Sequence, residues 1–144
     1  MKILVPVDGS KYSMAALDVA LDYAKTKGAN ICLINVMPYI EAVDLEISAH
    51  ERESVNQSME KRADYIVQQA CGVLAGKDVI ATCRHIVASD SIPDAIIDYA
   101  EQEKVELIII GSKGLSQSSR FKMGSVAAKV VKHSPCSVYV VKIY

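Results

Sequence analysis

Val105 to Lys132 read VELIIIGSKGLSQSSRFKMGSVAAKVVK, and this stretch decides the expected fold. It opens with an apolar run that contains Ile108-Ile109-Ile110, and such a β-branched run is typical of a parallel strand covered on both faces. A polar loop with several glycines follows. From Ser125 onwards, apolar residues recur at helical spacing. The stretch therefore predicts a strand, a glycine-containing loop and a helix, in that order.

This order of elements is suited to binding an anion. Glycines let a backbone approach a ligand closely and adopt positive φ values. The free N–H groups and the positive dipole end of a new helix favour a phosphate. We therefore expect the loop to hold the phosphates of a nucleotide, with the candidate residues Gly111, Ser112, Gly114, Gly124, Ser125 and Val126.

The spacing of the glycines separates this loop from two common phosphate-binding motifs. A Walker A loop needs a Gly-Lys-Ser/Thr end, and the dinucleotide fingerprint needs G-x-G-x-x-G; neither is present. The chain has Gly111, two residues, Gly114, nine residues, and then Gly124-Ser125. This pattern resembles the ATP-binding signature of the universal stress protein family. The resemblance extends over nearly the whole chain, through ILVPVDGS at 3–10, INVMP at 34–38 and HSPCSVYVVK at 133–142.

Asp8 follows the first apolar run, KILVPV at 2–7, and precedes a helix that Ser10 or Ser13 caps. It therefore lies at the carboxyl end of the first strand, the edge where open α/β sheets bind ligands. A carboxylate repels polyphosphate unless a metal intervenes, so we expect Asp8 at the sugar end of a nucleotide or on a divalent cation. The alternative, a role only in the turn or the helix cap, stays open.

The rest of the chain alternates strands and helices. The pattern predicts further strands at 30–36, 78–87 and 136–143, and further helices at 54–75 and from Ser91. The mixed polarity of 78–87 is typical of a sheet edge, and His85 within it fits an edge histidine better than a metal ligand. The acidic segment 37–53 is compatible with a lid, a partner surface or a solvated connector.

Five strands alternating with four helices indicate an α/β fold with one open parallel sheet and helices on both faces. The resemblance implies the Rossmann-like strand order 3-2-1-4-5. The topological switch point then lies between strands 1 and 4, where Asp8 and the 111–125 loop meet. At 144 residues, we expect a single domain over 1–144.

Composition excludes several classes of protein. Sixteen basic and seventeen acidic residues give a net charge of −1, which offers no general attraction to nucleic acid or to an anionic membrane. No apolar run approaches the roughly 20 residues of a bilayer span, and the N-terminal run is too short for a signal peptide. We therefore expect a cytoplasmic protein whose four cysteines, which form no C-x-x-C pair, are reduced thiols.

The resemblance implies an ATP-binding regulatory protein of the stress response. Pro6, Val7, Asp8 and Val36 would hold the adenosine end, with the Val36 backbone at the adenine edge. Mg²⁺ or Mn²⁺ would be bound through the phosphates, because no carboxylate cage is visible. The protein would act as a homodimer, since pairing through the apolar strand Cys136–Ile143 removes an exposed sheet edge.

Two alternatives stay open. One is an enzyme, a slow ATPase or a nucleotidyl transferase, although Gln117 is the only evident residue in the loop that could orient water. The other is a nucleotide-free dimeric adaptor, which the intact glycine signature disfavours. Two positions depart from the family pattern: Asp90, where relatives usually carry glycine, and Ser137, where they often carry proline. Asp90 either crowds a phosphate or caps the next helix.

Overall fold

The computed structural model describes residues 1–38, 48–88, 91–115 and 123–143. Strands and helices alternate as β1 (Lys2–Pro6), α1 (Lys11–Lys27), β2 (Asn30–Pro38), α2 (Ala49–Leu74), β3 (Ala81–Ala88), α3 (Ile92–Gln102), β4 (Leu107–Gly111), α4 (Ser125–His133) and β5 (Ser137–Val141). The five strands form one parallel sheet in the order β3-β2-β1-β4-β5. The predicted fold class and strand order are confirmed.

The sheet separates two apolar cores because successive side chains of a strand point to opposite faces. Ile3 and Val5 of β1 face the core that α1 and α2 cover. Leu4, between them in the chain, faces the core that α3 and α4 cover. Every residue of β4 is buried, which agrees with a strand near the middle of a sheet with helices on both faces.

Helix α2 begins at Ala49, several residues earlier than the apolar pattern predicts. Ser48 caps it by accepting the Glu51 N–H at 3.1 Å, and the Ser-x-x-Glu spacing is that of a capping box. Since the first turn is exposed, its sequence carries no apolar repeat. Part of the acidic segment is therefore helix, while residues 39–47 lie outside the described residues.

The other helix ends follow the local sequence. Ser10, and not Ser13, caps α1 by accepting the Ser13 N–H at 3.2 Å. Gly28 ends that helix with φ 67°, a left-handed conformation that glycine adopts without strain. Ser91 caps α3 through the Asp94 N–H. Within the described ranges, no helix has both the length and the apolar character needed to cross a bilayer.

The prediction of four reduced thiols is wrong for two of the cysteines. Cys71 of α2 and Cys83 of β3 form a disulfide, with their Cα atoms 6.1 Å apart. Chain spacing could not indicate this pair, because the contact arises only when α2 packs against β3 in the tertiary structure. Cys32 is a buried free thiol, and Cys136 is a partly exposed free thiol that lies just before β5.

Candidate functional site

A cavity of about 500 Å³ lies at the carboxyl ends of β1, β2 and β4. It contains the switch point of the sheet, because the order places β1 beside β4. Its volume is within the range of small-molecule sites. The structure brings all but one of the sequence-predicted site residues into its lining, namely Pro6, Val7, Asp8, Val36, Gly111, Gly114, Gly124, Ser125 and Val126.

Ser112 is the exception, because it is 2% exposed and does not line the cavity. Its N–H donates to the Val141 carbonyl at 2.8 Å, and its own carbonyl accepts the Gly124 N–H at 2.6 Å. Ser112 therefore ties the start of the loop to β5 and to the residue before α4. Its main chain positions the loop, and the expectation that it contacts a ligand does not follow from its place in the structure.

Two glycines of the loop lie where other residues approach closely. A Cβ on Gly111 would lie 2.7 Å from the carbonyl carbon and oxygen of Tyr12, at the start of α1. A Cβ on Gly114 would lie 2.6 Å from Asp8 Oδ2. The sequence argument also allowed for positive φ values here. Within the described residues, glycines with positive φ lie elsewhere, at Gly9, Gly28 and Gly76, so these two positions are explained by space alone.

The Asp8 carboxylate joins the end of β1 to the glycine loop. Its Oδ1 accepts the Ser10 N–H at 2.9 Å, which forms the turn into α1. Its Oδ2 accepts the Leu115 N–H at 3.2 Å, across 107 residues of sequence. The Asp8 N–H in turn donates to Ser13 Oγ at 3.2 Å. Asp8 therefore forms the turn into α1 and also lines the cavity, and its role towards a ligand stays a prediction.

The N-terminus of α4 opens on the cavity. Gly124 is its N-cap residue, and among the described residues no side chain caps this helix. Ser125, Val126 and Ala127 line the cavity, and the first N–H groups of a helix have no partner within the helix. This end of the cavity can therefore accept an anion through main-chain donors and the helix dipole.

Lys113 also lines the cavity and adds positive charge beside the start of α4. Loop residues 116–122, which include Gln117, lie outside the described part of the chain. Asp90 is likewise outside it. The cavity is therefore defined here by β1, β2, β4, α2, α3, the described loop residues and α4.

Sequence reasoning missed two parts of the wall. Asn35 is 6% exposed, and its Nδ2 donates to the Val7 carbonyl at 2.8 Å, which fixes the ends of β1 and β2 relative to each other. A polar side chain inside the apolar run NICLINV was the available signal. The second part is one face of α2, with Met59, Arg62, Ala63 and Ile66. Met59, Ala63 and Ile66 belong to the apolar repeat of α2. Nothing in this local pattern distinguishes residues that pack in the core from residues that line a cavity.

The sequence profile of the universal stress protein family matches residues 1–142. The chain belongs to this family. The universal stress protein YxiE of Bacillus subtilis strain 168 is 29% identical over 147 residues, which cover 98% of this chain and 98% of that protein. The solved structure of the universal stress protein UspA from Lactobacillus plantarum superposes with a TM-score of 0.83 at 25% identity, over 99% of this chain and 97% of that one.

A solved family structure from Arabidopsis thaliana has AMP bound. It superposes with a TM-score of 0.71 at 18% identity and covers 100% of this chain and 92% of that one. At 18% identity, the structural similarity supports a shared fold and no more than that. The family and the Rossmann-like fold, which the sequence predicted from three separated segments, are confirmed.

Proposed function

We propose that this universal stress protein binds an adenine nucleotide, ATP above all, in the cavity between β1 and β4, and that it acts as a cytoplasmic stress-response regulator. The observation that carries the proposal is the start of α4. Its first turn lines the cavity, no described side chain caps it, and Gly111, Gly114 and Gly124 line the cavity with it. An anion is the ligand that such an end favours.

The charges and the apolar surface of the cavity suggest how the nucleotide lies. The phosphates fit the end formed by the Gly124–Val126 turn and Lys113, because positive charge and main-chain donors are concentrated there. Asp8 repels phosphate and so suits the ribose, whose hydroxyl groups donate to a carboxylate. Pro6, Val7 and Val36 then contact the adenosine end. A Mg²⁺ or Mn²⁺ ion, when present, would be held mainly by the phosphates.

Family neighbours support adenine as the common part of the ligand. Besides the Arabidopsis thaliana structure with AMP, universal stress protein structures are known with cAMP and, from Archaeoglobus fulgidus, with dAMP. These ligands differ in their sugar and phosphate groups and share the adenine. The intact glycine spacing of this chain extends the same reasoning to a triphosphate.

We also propose that any hydrolysis is slow. Fast phosphoryl transfer needs a group that orients water near the terminal phosphate. Among the described cavity residues the carboxylate is Asp8, which the proposed binding mode places at the ribose and away from the terminal phosphate. We therefore expect ATP to act as a bound signal more than as a substrate.

The β5 edge supports the proposed homodimer. In the sheet order β5 is a terminal strand, paired with β4 on one side. Tyr139 on this strand is 47% exposed, and the apolar Val131 and Ile143 close to it in sequence are also exposed. Pairing with a second copy would cover the edge and these side chains.

Thermal unfolding with and without Mg-ATP tests the proposal. A ligand that binds only the folded protein stabilises it by about 2.7 kcal/mol at 100 times its Kd, which for a chain of this length raises the melting temperature by roughly 9 °C. Gly124→Val should remove the rise, since Gly124 lines the cavity. The fold should persist, because a Cβ at Gly124 meets its nearest atoms at 3.4 Å.

Gly72→Val is the matched control. Gly72 lies in α2, where an added side chain would meet open space. This variant should therefore keep the full rise in melting temperature with Mg-ATP. No rise for the unmodified protein at millimolar Mg-ATP would overturn nucleotide binding and leave the adaptor function.

A further inference from the structure

The disulfide between Cys71 and Cys83 crosses the contact between α2 and β3. The Cα separation of 6.1 Å lies in the normal range for a disulfide. Both residues are partly exposed, and neither is fully enclosed in the core. The two cysteines therefore meet the geometric requirement of a reversible pair.

A second cross-link lies along the same contact. His85 Nδ1 is 2.7 Å from Asp64 Oδ1. Asp64 precedes Cys71 by seven residues, about two helical turns, so both face the same side of α2. His85 follows Cys83 by two residues, so both face the same side of the strand. The α2–β3 contact is thus joined by the disulfide and by this close contact between an imidazole and a carboxylate.

Helix α2 has few fully buried residues, although Ile66, Val67 and Val73 are partly buried against the core. Its buried residues are Ala63, Ala70 and Leu74, two of which are alanines, in a helix of 26 residues. It packs on one end of the sheet, where β3 is the terminal strand of the order. Loss of a covalent link at this place should therefore loosen the helix.

The same helix forms a wall of the cavity. Met59, Arg62, Ala63 and Ile66 line it. Ile66 also approaches the turn after Asp8, since a Cβ on Gly9 would lie 3.4 Å from Ile66 Cγ1. The position of α2 therefore sets the shape of the cavity on this side.

We propose that Cys71 and Cys83 are a redox modification site that controls the α2 wall, and through it the affinity for nucleotide. Oxidation proceeds by exchange with a small-molecule disulfide. A thiolate of the pair attacks the disulfide and releases one small thiol, and the second thiolate then attacks the mixed disulfide and releases the other. One disulfide and two protein thiols give one protein disulfide and two small thiols. In cytosolic proteins, disulfides of this kind are usually transient and redox-sensing.

The proposed coupling between the disulfide and nucleotide affinity rests on the proposed function, whereas the proposed effect on α2 does not.

The full-length protein is equilibrated with reduced and oxidised glutathione at a series of ratios, and the state of each cysteine is read by alkylation and peptide mass spectrometry. We expect Cys71 and Cys83 to change state together and Cys32 and Cys136 to remain thiols. A pair that stays reduced, or stays oxidised, over the whole series overturns the proposal.

Hydrogen–deuterium exchange then compares the oxidised and reduced protein without nucleotide. We expect the α2 amides from Met59 to Leu74 to exchange about tenfold faster, or more, after reduction, while β1 and β4 do not change. Equal exchange of α2 in both states overturns the proposal, even if ATP does not bind.

Calorimetric titration with Mg-ATP measures the coupling. We expect the oxidised protein to bind at least about fivefold more tightly than the reduced protein. Cys83→Ser should show the reduced affinity in both conditions, and Cys136→Ser should keep the difference. Equal ATP affinity in both states overturns the coupling. Absence of ATP binding in both states contradicts the proposed function instead, and the exchange result alone then decides whether the pair controls α2.

Discussion

Gly111→Ala is the sharpest test of how the glycine loop is built. The added Cβ would lie 2.7 Å from the Tyr12 carbonyl carbon and oxygen and 2.9 Å from Tyr12 Cβ. Ordinary contacts begin near 3.4 Å, so β4 and the first turn of α1 must separate by about 0.7 Å. Neither moves easily, because β4 is buried along its whole length and Tyr12 is 8% exposed.

Overpacking of this kind costs about 1–3 kcal/mol. For a chain of 144 residues, the unfolding entropy is about 0.3 kcal/mol per degree, so the melting temperature should fall by roughly 3–10 °C. Part of the cost is offset because alanine has less freedom than glycine in the unfolded chain. Circular dichroism at 222 nm during heating, without nucleotide, measures the effect independently of any ligand.

Gly124→Ala is the matched control, since its Cβ has no contact shorter than 3.4 Å and its φ of −74° is open to any residue. Its melting temperature should change by less than about 3 °C. Gly114→Ala should also keep the fold, because its Cβ meets the end of the Asp8 side chain, which can rotate away. Equal melting temperatures for Gly111→Ala and Gly124→Ala would refute the steric explanation of the motif.

Two further predictions concern the core and the sheet edge. Ile109→Ala removes a side chain that is fully buried in the centre of the sheet, so the free energy of unfolding measured in urea should fall by about 2–5 kcal/mol; a loss below 1 kcal/mol would contradict the packing of β4. Tyr139→Lys places a charge on the β5 edge and should convert the proposed dimer into a monomer in sedimentation velocity. Tyr65→Lys, at an exposed site on α2, should leave the mass unchanged, and a dimer that persists in Tyr139→Lys would exclude β5 pairing.

Part of the site could be predicted from the sequence because its residues are close together in the chain. Gly124 and Ser125 precede an apolar repeat, so the start of α4 could be located to the residue. Asp8 follows directly on a buried strand, and this placed it at the correct sheet edge. The start of α2 at Ala49 was missed for the opposite reason, since its exposed first turn has no apolar repeat.

The local sequence accounts for the alternation of strands and helices, the position of the glycine loop and, through resemblance, the family. These properties depend on periodicity and spacing over a few neighbouring residues. Tertiary packing alone explains why the Asp8 carboxylate accepts the Leu115 N–H, why Ser112 does not line the cavity and why α2 forms a cavity wall. It also decided the pairing of Cys71 with Cys83. Each of these contacts joins separate elements, and their meeting depends on how the helices pack on the sheet, which no local pattern encodes.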